Sequence, residues 1–162
     1  VAAATPICFE VTRSSLCRRL VYGGPEGARR ADLIINVSND GWFGDIVNAP
    51  VPSDAGRYQH LLVARWRCVE LGVPMVRAVN TGVSCAIDAG GRLLPMEAIE
   101  PPKSSTRSDG AMIATVPLTN RTTIFGAIGN VFAWVVLAAG GALATWAWLV
   151  GRRIRAIGRQ LR

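Results

Sequence analysis

The chain has 162 residues, half of them hydrophobic, and a formal net charge of +7. Five arginines (Arg152, Arg153, Arg155, Arg159 and Arg162) fall in the last eleven residues with no acid among them, leaving +2 on the rest, so the basicity excludes a nucleic-acid-reading face. With one histidine, His60, and four cysteines that form no C-x-x-C pair, a zinc site of ordinary spacing is excluded too, and neither metal nor cofactor is expected.

The chain opens "VAAATPICFE", without a signal-peptide pattern. This reads as the interior of a domain, and the chain is expected to be the C-terminal part of a longer protein. "ATPICFEVTRSSL" passes from a strand-like run into a helix-capable one, with helix expected by about Val11. Cys8 stands at that junction. A cysteine there is either a small core hydrophobe or a nucleophile on a tight turn. In the second case the Phe9 N–H would face a developing oxyanion. A thiol also needs a base or a positive neighbour. His60 reads as a solvated helix residue and Lys103 as a solvent-facing loop residue, so neither is assigned that role.

Residues 31–38, "ADLIINVS", form an apolar, β-branched run and predict a buried strand. "NDGWFG" after it is turn chemistry, and residues 45–56 read as a loop. The spacing of Tyr58, Leu62, Trp66 and Val69 predicts a helix over 57–71 that buries this face, stopped by Gly72 and Pro74. Arg65 falls within the apolar arc and so requires a carboxylate, with Glu10 or Asp40 the candidates. "PMVRAVN", "VSCAID" and "LLPM" predict further strands, residues 100–110 a polar loop, and "AMIATVPL" a last strand. Cys17, Cys68 and Cys85 are expected to be inert packing residues. Strands alternating with one or two helices indicate an α/β fold, with too few helices to cover both faces of a sheet.

No charged side chain occurs from residue 122 to 151. Within it, "VFAWVVLAAGGALATWAWLV" is a twenty-residue run, enough for roughly 30 Å of helix, the thickness of a bilayer core. Trp134 lies near one end and Trp146 and Trp148 near the other, as interfacial belts require. "AAGGALA" offers small residues for close helix packing. The arginine cluster behind the span predicts a cytoplasmic C-terminus, with residues 1–120 on the outer face.

"ICFE", "ADLIINVSNDGWFG" and "YQHLLVARWRCVELGVPMVRAVNTGVSCAIDAGGRL" occur in that order. The ordered set resembles the bacterial apolipoprotein N-acyltransferase family of the nitrilase (carbon–nitrogen hydrolase) superfamily, over about residues 5–155. The resemblance implies the C-terminal portion of a nitrilase-like αββα sandwich over residues 1–120. A transmembrane helix over 121–151 and a basic cytoplasmic tail over 152–162 would follow. It implies a Cys–Glu–Lys triad with Cys8 as nucleophile, Phe9 as backbone oxyanion donor and Glu10 as support, although Glu10 also fits a helix N-terminal charge. The triad glutamate and lysine precede the cysteine in that family and are not in this sequence. Phe9 stands where the family usually has tyrosine. Asn39, Trp42 and Phe43 would lie near the substrate. The implied donor is a phospholipid, the acceptor a diacylglyceryl apolipoprotein, and the setting a bacterial inner membrane, multi-pass in the full-length form. Two rival functions remain open: a membrane-tethered carbon–nitrogen hydrolase that uses water, and an inactive lipid-binding or anchoring fragment.

Overall fold

The computed structural model describes residues 1–24, 27–43, 54–98 and 110–160. The chain divides into two units, Val1–Ala127 and Ile128–Arg162. The first holds a mixed five-stranded sheet, order β1-β2-β3-β4-β5, formed by Ala3–Ala4, Leu33–Ser38, Met75–Val79, Cys85–Ile87 and Leu93–Leu94. β1, β2 and β3 run parallel, while β4 and β5 are antiparallel additions. A separate pair, β6 (Glu97–Ala98) and β7 (Met112–Ile113), closes the strand set.

The two parallel steps are bridged by α1 (Ser14–Val21) and α2 (Asp54–Leu71). Both helices bury residues on the same face of the sheet. Cys17 and Val21, one turn apart, face Leu61, Ala64, Cys68 and Leu71 and the strand residues Ile34, Met75 and Ile87. The alternation of β2 places Ile34, Asn36 and Ser38 toward the helices, and that of β3 does the same for Met75 and Arg77. The opposite face is open, with Val37 55% exposed. The helices therefore cover one face of the sheet.

Three expectations about α2 need correction. The helix begins at Asp54, inside the expected 45–56 loop; residues 45–53 lie outside the described set. The stripe Tyr58, Leu62, Trp66 and Val69 is the exposed face, with Trp66 61% exposed. The buried face is built on Leu61, Ala64, Cys68 and Leu71, with His60 and Arg67 among them. The small and polar residues won the core because the space between α2 and the sheet holds a polar network. Third, Arg65 is half-buried and, among the described residues, its Nε donates to the Gly91 carbonyl at 2.7 Å and not to a carboxylate. Its head reaches the turn that ends at Gly91, where the backbone carbonyl takes the place of a carboxylate.

α2 stops where Gly72 takes φ +65°, and the N–H groups of Gly72 and Val73 both donate to the Cys68 carbonyl. Residues 119–127 pack on this unit. Thr119 Oγ1 donates to the Gly72 carbonyl, Thr123 Oγ1 to that of Glu70, and Arg29 to that of Arg121. Arg18 on α1 donates to the carbonyls of Phe125, Gly126 and Ala127 at 3.2, 2.9 and 2.7 Å, all within the short helix α3 (Ile124–Ile128). These ties extend the unit past the expected domain limit at 120.

The second unit is the helix α4 (Val131–Gln160). Its stretch Val131–Arg153 is long and apolar enough to cross a bilayer, and none of it is buried. Trp134, Trp146 and Trp148 are exposed along it, and the Arg152 guanidinium lies 4.7 Å from the Trp148 ring centre.

Candidate active site

β1 does not end at Ala4 in its effect. Ala3 pairs with Leu33, Ala4 with Ile34, and the isolated bridge Ile7–Val37 continues the same parallel offset. Cys8 therefore comes level with Ser38 at the C-terminal ends of both strands. A 3-10 turn then begins at Cys8 itself, earlier than the expected Val11, and runs to Thr12. Cys8 has φ +50°, the one positive φ at a non-glycine among the described residues. Such a conformation costs about 1–3 kcal/mol and needs local bracing. Glu10 supplies part of it: its Oε2 accepts the Ile7 N–H at 2.8 Å. Thr12 Oγ1 donates to the Phe9 carbonyl at 2.8 Å and closes the turn.

The thiol is partly exposed. Three groups favour its thiolate: the Ser38 hydroxyl, the Asn39 N–H and the Phe9 N–H. The Ser38 hydroxyl and the Asn39 N–H lower its pKa most. Burial and the Asp40 charge oppose them, but the net direction is down. The other thiols go the opposite way. Burial lifts Cys17 to about 11 and raises Cys68 and Cys85 as well. One cysteine of four is thus set up to ionise.

Behind Cys8 lies a buried polar network. Asp40 opens the second 3-10 turn (Asp40–Phe43). Its Oδ1 accepts from the Ser38 hydroxyl at 2.7 Å and lies 2.9 Å from His60 Nδ1. Its Oδ2 accepts from Arg77 Nη2 at 2.7 Å. Arg77 Nη1 donates to Asn36 Oδ1 at 2.6 Å, and Asn36 Nδ2 donates to the Pro6 carbonyl at 2.8 Å. Burial would raise the Asp40 carboxyl, but Ser38, His60 and Arg77 outweigh it and hold it below the usual carboxylate range.

The residues that the sequence singles out separate clearly. Phe9 and Asn39, through their backbone N–H groups, favour the Cys8 thiolate. Glu10 is one step removed, bracing the turn backbone. The Phe43 ring packs on His60 at 5.6 Å between centroids, and the Phe9 ring lies 6.4 Å from His60. Trp42 is 83% exposed and makes none of these contacts. His60, expected to be solvated, is 3% exposed and holds Asp40. Motif reading misses Arg77 and Ser38, although a signal exists. Asn36, Ser38 and Arg77 are polar at inward positions of apolar strands, and an arginine inside such a strand must find a partner. Among the described residues no three of His, Cys, Asp and Glu gather as metal ligands. Lys103 lies outside the described residues.

Residues 24–124 match the carbon-nitrogen hydrolase family. The chain is 38% identical over 133 residues to an apolipoprotein N-acyltransferase of Rhizobium rhizogenes, covering 80% of this chain and 22% of that protein. It is 35% identical over 131 residues to that of Bradyrhizobium diazoefficiens, with the same coverage. The chain therefore spans about a fifth of the length of these relatives. A carbon-nitrogen hydrolase from Helicobacter pylori shares the fold, with a TM-score of 0.52 at 12% identity, over 71% of this chain and 40% of that one. Family match, mixed sheet and strand-end cysteine agree, and the chain belongs to the carbon–nitrogen hydrolase family, with relatives in it named apolipoprotein N-acyltransferase.

Proposed function

We propose that this chain carries the nucleophile of an apolipoprotein N-acyltransferase. The observation that supports it most is Cys8 in its braced positive-φ turn at the strand end. The Cys8 thiolate attacks the ester carbonyl of a phospholipid acyl chain. The carbonyl oxygen takes up the electron pair, and on collapse the C–O bond breaks. A lysophospholipid leaves as the alcohol with one proton, and the acyl chain remains as a thioester. The free α-amine of a diacylglyceryl-cysteine apolipoprotein then attacks that thioester. The C–S bond breaks, the amide forms, the amine gives up a proton and the thiol is restored. In this reading the N–H groups of Phe9 and Asn39 hold negative charge in both halves of the cycle. The glutamate base and the lysine of the family's triad come from outside this chain, so the chain by itself is inactive in this reading.

The same reading sets the domain of residues 1–127 on the outer face of a bacterial inner membrane, with α4 crossing it and the arginine tail inside. Trp42 and Phe43 lie toward the acyl donor, and the water-using hydrolase is the rival reaction. A hybrid tests these together. This chain replaces the matching segment of the Rhizobium rhizogenes relative, in membranes supplied with phospholipid and a diacylglyceryl lipopeptide. The expected products are a Cys8-linked acyl-enzyme and an N-acylated peptide, both lost in Cys8→Ala. Free fatty acid without N-acylated peptide shows that water and not the amine takes the acyl chain, as in the hydrolase reading. Acyl transfer that persists in Cys8→Ala overturns the nucleophile assignment.

A further inference from the structure

Ser38 has one hydroxyl proton and two claimants for it. Its Oγ lies 2.7 Å from Asp40 Oδ1, and the Ile7–Val37 bridge brings Cys8, whose thiolate the same hydroxyl favours, level with it. A carboxylate only accepts, so in the observed pair Ser38 is the donor. A neutral thiol or a thioester sulfur is a weak acceptor, whereas a thiolate is a strong one. The direction of the Ser38 proton thus bears directly on how readily Cys8 ionises.

We propose that Asp40, His60 and Arg77 are positioning residues that decide whether the Ser38 proton is directed at Asp40 or at the Cys8 sulfur. Asp40 Oδ1 is shared between Ser38 and His60 Nδ1, which lies 2.9 Å away. His60 Nδ1 also lies 3.0 Å from Arg77 Nη2, one N–H of which donates to Asp40 Oδ2 at 2.7 Å, but an unprotonated Nδ1 would set its lone pair against the carboxylate oxygen. The charge-assisted choice is for Nδ1–H to donate to the carboxylate. That leaves Nε2 as the acceptor nitrogen, which has no partner among the described residues. With His60 serving Oδ1, Ser38 is free to turn to a thiolate. Without His60, Oδ1 has only Ser38, and the sulfur loses that donor.

Arg77 fixes the distances involved. One guanidinium ties Asp40 and Asn36, and Asn36 holds the carbonyl of Pro6, two positions before Cys8. The strand end that carries the thiol and the strand end that carries its donors are therefore held from one buried side chain. Among the described residues, the ionisable side chains bonded to the turn or to the network are Glu10, Asp40, His60 from α2 and Arg77 from β3; Arg65, Arg67 and Glu70 of α2 bond elsewhere. Of these it is the Asp40 charge that opposes the thiolate.

The inference rests on Cys8 being the nucleophile but not on the acyl donor, so its test uses no lipid substrate. The whole chain, in detergent micelles, is alkylated with iodoacetamide across a pH series, and the rate at Cys8 is followed by mass spectrometry. Ser38→Ala is expected to slow Cys8 about tenfold at neutral pH, a profile shift of about one pH unit upward. Ser38→Thr restores most of that rate. His60→Leu, which touches neither Ser38 nor the sulfur, follows Ser38→Ala, while His60→Asn, with an amide N–H to offer Asp40, stays near the parent profile. Arg77→Lys reaches only one of Asn36 and Asp40 and also shifts upward. A Ser38→Ala profile that overlays the parent overturns the proposal. So does a folded His60→Leu protein with the parent profile, since a merely structural role for His60 moves stability and not the Cys8 profile. If His60→Leu opens the three buried thiols to the reagent, Arg77→Lys decides, and an unmoved profile there also overturns it.

Discussion

Asp40 and Arg77 meet at 2.7 Å, and neither side chain exposes any surface. A buried pair of this kind stabilises little relative to an apolar pair, but losing one member strands the other. Asp40→Ala is therefore expected to lower stability by about 3–5 kcal/mol, read by chemical denaturation. A loss below about 1 kcal/mol would show that Arg77 finds other acceptors. The acid side follows from the same pair. The Asp40 carboxyl is held below its unfolded value, so its contribution is present above about pH 4 and fades as pH falls through the native value. Asp40→Asn should flatten that part of the stability profile.

The four thiols should react in two classes. In the folded chain near neutral pH, alkylation is expected at Cys8 alone, because its donors favour the thiolate while burial disfavours it at Cys17, Cys68 and Cys85. Denaturant should bring all four to similar rates. Modification of Cys68 in the native protein at a rate matching Cys8 would contradict the packing of α2.

Gly126 lies against Tyr22. A Cβ at that position would sit 2.6 Å from the ring, whose hydroxyl donates to the Leu71 carbonyl at 2.6 Å. Neither partner has room to retreat, so Gly126→Ala should cost about 1–3 kcal/mol in thermal unfolding of the first unit. Gly140 and Gly141, where an added methyl group would meet no atom within 4 Å, provide the contrast: alanine there should leave that transition in place.

The arginines at the C-terminal end of α4 predict orientation. A reporter active only in the cytoplasm, fused after Arg162, should be active, and neutralising Arg152, Arg153, Arg155 and Arg159 together should weaken that preference. Activity from an exported reporter at the same point would reverse the topology and move the candidate site to the other compartment.

Much of the fold and half of the site are legible in the sequence. The strand at 31–38, the turn after it, Cys8 at a strand end and the apolar span are each fixed by local pattern. What is not legible depends on how two patterns face each other. The stripe from Tyr58 to Val69 has the right period for a core face, yet the core lies on the Leu61–Cys68 side. A period gives the spacing of a face but not which face turns inward. His60 reads as solvated because its partner Asp40 sits twenty positions earlier on another element, and only the register of β2 against β3 brings Asn36, Asp40 and Arg77 into reach. Arg65 reads as buried for the same reason and instead caps a turn at Gly91.

The positive φ at Cys8 has a bearing on how such a chain would age. Glycine is the residue at ease in that backbone, so Cys8→Gly should gain about 1 kcal/mol of stability while deleting the nucleophile. Mutational drift therefore runs downhill at this position: a lineage released from selection on its chemistry would be drawn away from cysteine by folding alone. A cysteine that persists there, against that gradient, marks a lineage still under selection for the thiol.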